Sequence, residues 1–315
     1  MTRYILKRLL MLIPVIIGVV FIVFTIERLS PNDPIRSVLG DMASQEEVDA
    51  MRNEMGLNDP FFVQFFNYAK GIVTKFDFGV SYVDRQPVVE MIKNRFPITL
   101  ELAIFSTILA GLLGIPLGII SAVKQYSLLD NVCSVLALVF LAIPEFWLAL
   151  MLIIVFSLHL KVLPASGWYG IRYMILPIIA TGTGCVAGIM RTTRSNMLEV
   201  IRQDYIRTAR AKGLKENVII YKHALRNALI PVITLMGLQF GKELGGVFVI
   251  ETIFAIPGIG KMLVDACSIK NIPVVQGGVI FIAVAFGIVN LIVDIVYGYI
   301  DPRIFASYKR KAKKR

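Results

Sequence analysis

The sequence predicts an all-α polytopic membrane protein with six transmembrane helices and a small extracytoplasmic domain after the first helix. Of its 315 residues, 56% are hydrophobic and 17% are charged, whereas soluble domains have about 45–50% apolar and about 25% charged residues. Several apolar runs approach the roughly 20 residues that a helix needs to cross a bilayer. The net charge of +11 is therefore expected in loops beside the lipid bilayer, with no nucleic acid as partner.

The first predicted span lies in an N-terminal segment, residues 1–28. Basic residues at the start precede an uncharged run, Leu9–Ile26. A secretory signal begins in the same way, but this run ends in a charged sequence and no small-x-small cleavage site follows it. We therefore expect an uncleaved helix whose N-terminus is cytoplasmic.

Residues 29–97 form a polar segment of mixed charge, with turn signals such as Pro31-Asn32-Asp33-Pro34. Acidic residues outnumber basic ones between Glu27 and Arg95. That balance agrees with an external position, although long loops cross a membrane largely regardless of charge. A small extracytoplasmic domain of helices and turns is predicted here.

Five further spans are predicted in a core of residues 98–300. Their apolar runs are Leu102–Val123, Val132–Leu160, Met174–Met190, Ala228–Ile250 and Gly277–Ile300. Four of these runs contain or adjoin a proline, and a proline inside a span needs a neighbouring helix or a water-filled cavity for the freed carbonyl. Glycines in the second span permit close helix packing; they are Gly111, Gly114 and Gly118.

Lys and Arg residues orient the spans. They are dense in the loop between the fourth and fifth spans, residues 191–227, and in the tail, residues 301–315. The short loop between the third and fourth spans has only Lys161 and Arg172. By the positive-inside rule, both termini and the 191–227 loop are cytoplasmic.

The loop itself has an internal pattern. Over Met197–Lys212, apolar and polar residues each recur at helical spacing, which predicts one amphipathic helix. Gly213 then supplies a position without a Cβ penalty, suited to a helix end or a sharp turn, and a second helix follows. Such an elbow on the membrane surface suits binding by a partner protein. An ordinary basic loop is the alternative.

This elbow resembles the EAA loop of binding-protein-dependent ABC importer permeases, whose pattern is Glu-Ala-Ala, three residues, Gly, nine residues and Ile-x-Leu-Pro. Arg207-Thr208-Ala209 stands at the Glu-Ala-Ala positions and Gly213 at the glycine. The first Glu and the final Pro of the pattern are absent, because His223-Ala224-Leu225-Arg226 replaces its end. The variant from Asp204 to Gly213 is similar to the dipeptide/oligopeptide/nickel branch.

Other pieces along the chain resemble the same branch, and their order and spacing are specific together. In the N-terminal third they are Gly56-Leu57-Asn58-Asp59-Pro60 and Phe76-Asp77-Phe78-Gly79-Val80-Ser81. In the core and at the end they are Ile143-Pro144-Glu145-Phe146-Trp147, Leu163-Pro164-Ala165-Ser166-Gly167, the stretch from Glu251 to Gly260, and Tyr299-Ile300-Asp301-Pro302-Arg303.

The resemblance implies a type I ABC importer permease fold in a prokaryotic cytoplasmic membrane, and a function in ATP-driven import of peptides or a related small solute. The implied partners are a second permease subunit, two cytoplasmic ATPase subunits that bind ATP and magnesium, and an extracytoplasmic substrate-binding protein. The implied ATPase-coupling residues are Asp204, Arg207, Thr208, Ala209, Arg210, Lys212 and Gly213. Of these, Ala209 and Gly213 are expected to allow close docking and fix the bend.

No catalytic motif is visible in the sequence. The segment from Gly237 to Lys242 has its glycines one residue too close for a phosphate-binding loop, and Glu243 stands where Ser or Thr should bind magnesium. The three cysteines and two histidines lack metal-ligand spacing. We therefore expect no catalytic residue, metal or cofactor in this subunit, and a membrane enzyme is disfavoured.

Carboxylates inside the predicted spans are candidates for the translocation pathway, because charged residues are rare there and mark transport routes or proton relays. The candidates are Glu145, Glu243 and Glu251. An ion-gradient-coupled secondary transporter that uses Glu145, Glu243 or Asp294 is the alternative function. Such a carrier should show an inverted repeat with carboxylates near the membrane midplane, and no repeat is visible.

Overall fold

The computed structural model describes residues 2–29, 35, 39, 44–54, 56–245 and 247–300. The predicted basic tail, residues 301–315, and the side chain of Asp294 lie outside the described part. The described residues are almost entirely helical. In chain order the helices are α1 (Thr2–Leu29), α2 (Gln45–Glu54), α3 (Phe61–Lys75), α4 (Val88–Val123), α5 (Leu128–Ala142), α6 (Glu145–His159), α7 (Ile171–Ile201), α8 (Asp204–Ala211), α9 (Glu216–Leu244), α10 (Phe248–Ile253), α11 (Ile259–Ser268) and α12 (Ile272–Ile300).

Five helices in the described ranges, α1, α4, α7, α9 and α12, are long and apolar enough to cross a membrane. The pair α5 and α6 qualifies as a sixth span only when both are counted together, and the two helices meet at a bend of 99°. Pro144 causes the bend, because it fixes its own φ and keeps Ile143 extended, with ψ at 125°. The predicted span Val132–Leu160 is therefore two helices, and the all-α polytopic fold class is confirmed, with six spans if this bent pair counts as one.

Helix α4 is longer than the sequence predicts. It begins at Val88, so the last part of the predicted 29–97 domain is its first turns. Its 36 residues give a length of about 54 Å, well beyond the ~30 Å hydrocarbon core. The helix therefore extends from the cluster that includes α3 to the far end of the bundle.

Helices α4 and α7 form the centre of the bundle, and glycines set their closest approach. A Cβ on Gly114 would lie 2.8 Å from Cγ2 of Ile189, and one on Gly118 would lie 2.5 Å from Cβ of Thr193. No side chain fits at such distances, so glycine is required at both positions. The predicted use of these glycines in helix packing is confirmed.

The two ends of α4 carry different hydrophobic clusters. At the Val88 end, α1, α3, α11 and α12 meet around Phe24, Phe65, Phe78, Met262 and Val274. At the other end, Ile119 and Ala122 pack with residues of α7, α8 and α9. Helix α3 and the elbow are therefore at opposite ends of the molecule.

Candidate coupling surface and transmembrane cavity

The polar loop between α7 and α9 contains a short separate helix, α8. The prediction of one helix over Met197–Lys212 is wrong, because α7 ends at Ile201 and Gln203 is extended, with ψ at 151°, before α8 starts. In an unbroken helix of 3.6 residues per turn, Ile206 would point to the side opposite Met197. The break allows both side chains to be fully buried.

Gly213 ends α8 in the left-handed region, with φ at +74°. Its N–H donates to the carbonyl of Arg210 at 2.9 Å, and the N–H of Leu214 donates to that of Ala209 at 3.4 Å. A Cβ on Gly213 would meet nothing within 4 Å. Glycine is therefore favoured here by backbone conformation and not by lack of space, and the predicted break is confirmed.

One face of α8 packs on the chain's own helix ends. Ile206 and Ala209 belong to one buried cluster with residues of α4, α7 and α9, which are Ile119, Ala122, Met197, Ile219, Ile220, Ala224 and Ala228. Ala209 is 8% exposed. The small side chain of Ala209 therefore allows α8 to pack closely on the helix bundle of the same chain. The close contact of Ala209 in this structure is thus within the chain.

The opposite face of α8 is charged and open to solvent. The side chains of Asp204 and Arg207 are 97% and 75% exposed, and the shortest distance between their charged atoms is 3.7 Å. Thr208 and Lys212 are exposed beside them. Because an exposed pair of this kind contributes little stability by itself, these groups are available to a partner.

Arg210 forms an exposed ion pair across the turn at Gly213. Its Nη2 and Nε donate to Oε1 and Oε2 of Glu216, at 2.6 and 3.2 Å, and this hydrogen bonding raises the pKa of the Arg210 guanidinium. The pair spans the turn at Gly213 and joins α8 to α9. Sequence reasoning missed Glu216, although an opposite charge just across a glycine turn was the available signal.

An ion pair between a buried carboxylate and a half-buried arginine joins three helices beside the elbow. Arg194 of α7 donates from Nε and Nη2 to the Asp130 carboxylate of α5, at 2.7 and 2.8 Å. Asp130 also accepts from the Ser121 hydroxyl of α4 and, at 2.9 Å, from the N–H of Tyr126. Sequence reasoning treated Arg194 only as a loop charge and did not find Asp130.

A cavity of about 360 Å³, here called the midplane cavity, lies between the α5–α6 bend, α7, α9 and α10. Two of the predicted pathway residues, Glu145 and Glu243, line it. Its other polar residues are Thr181, Cys185, Gln239 and Lys242. Because Thr107, midway along α4, contacts Glu243, the cavity lies halfway between the ends of the bundle.

Hydrogen bonding in the midplane cavity is incomplete. The buried Glu243 carboxylate accepts from Sγ of Cys185 at 3.1 Å and from the Thr107 hydroxyl at 3.4 Å. The buried hydroxyl of Thr181 has no partner among the described residues. The cavity therefore offers a cation and carboxylates to a ligand. Over the same ranges, no group of three His, Cys, Asp or Glu side chains could hold a metal ion.

Glu251, predicted to line the pathway, is outside this cavity. It is fully buried, and its carboxylate accepts from the Thr99 hydroxyl at 2.6 Å and from the N–H of Lys261 at 2.8 Å. Thr99 accepts in turn from the N–H of Ile259 at 2.9 Å. Glu251 thus caps the first turn of α11, where a negative charge is favoured, and it joins α4, α10 and α11. Burial with satisfied oxygens makes it a structural residue.

Two family models match the chain. The model described as "Binding-protein-dependent transport system inner membrane component" matches residues 114–306, which include the elbow and the midplane cavity. The N-terminal model of the same kind of membrane component matches residues 1–103. Together they cover almost the whole sequence.

Curated relatives match over nearly their full length. The chain is 43% identical to the dipeptide transport system permease protein DppB of Alkalihalophilus pseudofirmus and 42% identical to the oligopeptide transport system permease protein AppB of Bacillus subtilis. It is also 42% identical to the glutathione transport system permease protein GsiC of Salmonella choleraesuis. Each alignment covers 96% of this chain and 99% of the relative. The predicted resemblance to the dipeptide/oligopeptide branch is confirmed.

Solved structures share the fold. The methionine ABC transporter MetNI in an inward-facing conformation matches with a TM-score of 0.55 at 17% identity, over 68% of this chain and 97% of that chain. A second crystal form gives a TM-score of 0.58 at 18% identity, over 67% and 97%. At such identities the likeness concerns the fold alone, and that fold is the type I importer permease fold that the sequence predicts.

Proposed function

Because the chain belongs to the family of binding-protein-dependent transport system inner membrane components, we propose that it is the membrane subunit of an ATP-driven importer for peptides. The observation that carries this proposal is the 43% identity to a dipeptide permease over almost the entire chain. The other named relatives transport oligopeptides and glutathione, which are also peptides. The substrate class is therefore a short peptide.

The complete importer would contain a second permease subunit, two cytoplasmic ATPase subunits and an extracytoplasmic substrate-binding protein. The ATPase subunits would bind ATP and magnesium, since this sequence lacks a phosphate-binding loop. Both termini and the elbow would be cytoplasmic. The Lys and Arg residues of 191–227 and 301–315 support that orientation.

The elbow would couple ATP hydrolysis to transport. In this proposal the exposed side of α8, with Asp204, Arg207, Thr208 and Lys212, sits in a groove of an ATPase subunit. Its buried side, with Ile206 and Ala209, passes movement to the ends of α4, α7 and α9. A close-packed contact of this kind transmits displacement, because its side chains have no free space to absorb it.

The Asp130–Arg194 pair would make that transmission more rigid, and the exposed Arg210–Glu216 pair would add a weaker contact. The first holds the ends of α4, α5 and α7 together, and the second fixes α8 to α9. A force on α8 would therefore move four helix ends as a group. Gly213 sets the angle of the turn through which the force passes.

The midplane cavity would be part of the translocation pathway. Glu145, Glu243 and Lys242 give it both signs of charge, and a short peptide has an ammonium group and a carboxylate at its two ends. Because isolated charges are costly inside a membrane, a cavity that carries opposite charges suits such a zwitterion better than an apolar one. Glu251 is not assigned to the pathway, because both of its carboxylate oxygens already accept hydrogen bonds within the protein.

The test is peptide uptake by proteoliposomes that contain the whole importer. Uptake of radiolabelled dialanine should require ATP on the ATPase side and the binding protein on the other side. It should continue when an ionophore collapses the proton gradient at constant ATP. Uptake that stops with the gradient would overturn the proposal in favour of the ion-coupled carrier.

A further inference from the structure

The charged side chains that line the midplane cavity differ in what they can contact. Glu243 is 6% exposed, and its two carboxylate oxygens already accept from Sγ of Cys185 and from the Thr107 hydroxyl. Glu145 and Lys242 are exposed, and neither side chain forms an ion pair or a hydrogen bond with another residue that the structure describes. Of the three charges, these two are therefore available to a ligand.

Both available charges lie at a helix end that suits their sign. Glu145 is the first residue of α6, directly after Pro144, and Lys242 is in the last turn of α9. A helix carries partial positive charge at its N-terminus and partial negative charge at its C-terminus. The two helix ends therefore stabilise a carboxylate on one side of the cavity and an ammonium on the other.

Gln239 adds an uncharged group to the same lining. It lies three residues before Lys242 on α9, so the two side chains are neighbours on one face of the helix. Its half-buried amide forms no hydrogen bond with the other described residues. Because a glutamine amide has both donors and an acceptor, it can pair with the N–H and the C=O of a peptide bond.

We propose that the midplane cavity binds a peptide in one direction, an inference that rests on the proposed function and names the groups that contact the cargo. Lys242 binds the terminal carboxylate, Gln239 the neighbouring peptide group and Glu145 the terminal ammonium. The two terminal contacts are charge-assisted hydrogen bonds, which are the strong ones. The transported peptides should therefore have both ends free.

Other zwitterions carry the same pair of charges, and the headgroup of phosphatidylethanolamine is one of them. It has no peptide group for Gln239 to pair with. The cavity also lies halfway between the ends of the bundle, at the level of Thr107, whereas lipid headgroups lie outside the hydrocarbon core. A peptide is therefore the favoured occupant.

The experiment measures binding of radiolabelled dialanine to the whole importer in phosphatidylcholine nanodiscs, without ATP or binding protein. Dialanine amide lacks the carboxylate and N-acetyl-dialanine lacks the ammonium. Each should compete about tenfold more weakly than unlabelled dialanine, or worse, because each loses one charged contact. Phosphoethanolamine, a zwitterion without a peptide group, should also compete more weakly.

Each blocked end should lose its effect only when its own residue is changed. In Lys242→Met the amide should compete as well as dialanine, while the acetyl peptide stays disfavoured, and in Glu145→Gln the reverse should hold. Two matched controls should keep both preferences. They are Lys75→Met, at an exposed lysine in the last turn of α3, and Glu90→Gln, at an exposed glutamate in the first turn of α4.

Any of four results would overturn the inference. The first is an absence of dialanine binding to the unmodified importer, and the second is phosphoethanolamine that competes as well as dialanine. The third is an amide that stays as disfavoured in Lys242→Met as in the unmodified importer. The fourth is unchanged dialanine binding in Gln239→Leu, which should weaken it. If Lys242→Met fails to assemble, Glu145→Gln and the acetyl peptide decide in its place.

The binding assay and the uptake assay separate this inference from the proposed function. If only the inference fails, the unmodified importer still takes up dialanine when ATP is supplied. If the proposed function fails, the unmodified importer shows no ATP-driven uptake of dialanine, whatever the midplane cavity binds.

Discussion

Arg210 and Glu216 face each other across Gly213, with Nη2 of the arginine 2.6 Å from Oε1 of the glutamate. This pair closes the side of an elbow whose underside is hydrophobic and whose outer face is charged. The ion pair, the hydrophobic underside and the charged outer face together define how α8 lies on the end of the bundle. The buried underside packs α8 on its own bundle, and the charged face is left exposed.

The role of the turn at Gly213 can be tested with substitutions that differ in how well they tolerate a positive φ. Gly213→Leu places a side chain at φ +74°, a region that costs an ordinary residue roughly 1–2 kcal/mol. Uptake per ATP hydrolysed should fall several-fold while the subunit still inserts into the membrane. Gly213→Asn is the matched control, because Asn tolerates this region, and it should retain most coupling. Normal coupled uptake by Gly213→Leu would refute the role of the turn.

The buried underside of the elbow should transmit force through Ile206. Ile206→Ala removes a fully buried side chain, and such truncations cost about 2–5 kcal/mol. ATP hydrolysis should persist in the assembled importer while peptide uptake falls strongly. Ile22→Ala, the same truncation at an exposed position of α1, is the control. If both variants transport equally well, α8 does not act through its underside.

The Asp130–Arg194 pair should show strong energetic coupling. Asp130→Asn leaves the half-buried Arg194 without its carboxylate, and hydrogen bonds to a charged group contribute about 1.5–3 kcal/mol. Thermal unfolding of the purified importer should therefore show a lower midpoint for Asp130→Asn and for Arg194→Gln. The double variant should be less destabilised than the sum of the two. Additive effects would mean that the two side chains do not interact.

Glu251 and Glu243 should respond differently to neutralisation. Glu251→Gln keeps the size of the side chain but puts an N–H₂ group against one of the donors that the carboxylate accepts from. Yield and thermal stability should fall, while uptake per folded importer should change little. Glu243→Gln should instead preserve stability and alter peptide uptake. A stable Glu251→Gln importer without uptake would return Glu251 to the pathway.

The spans could be predicted from the sequence because crossing a bilayer depends mainly on length and apolar composition. The turn at Gly213 could also be predicted, since a left-handed residue favours glycine locally. The break at Gln203 could not be predicted, because the apolar and polar residues on both sides of it keep the spacing of a single helix. Only the joint burial of Met197 and Ile206 against the same helices requires the break.

The polar contacts were harder to predict for a different reason. Glu251 meets Thr99 across 152 residues of sequence, and Asp130 meets Arg194 across 64. From sequence alone, a carboxylate that caps a helix inside the bundle is indistinguishable from one that faces a pathway. The cluster of Phe24, Phe65 and Val274 likewise depends on α1, α3 and α12 meeting, which no local pattern predicts.

The most direct test of the account is photo-crosslinking from the exposed face of α8. A photoreactive amino acid at Arg207, in membranes that contain the whole importer, should crosslink to a cytoplasmic ATPase subunit, identified by mass spectrometry. The same amino acid at exposed Val83, at the other end of the molecule, should not. Crosslinks from position 207 only to another copy of this chain, or to no protein, would contradict the elbow as the coupling element.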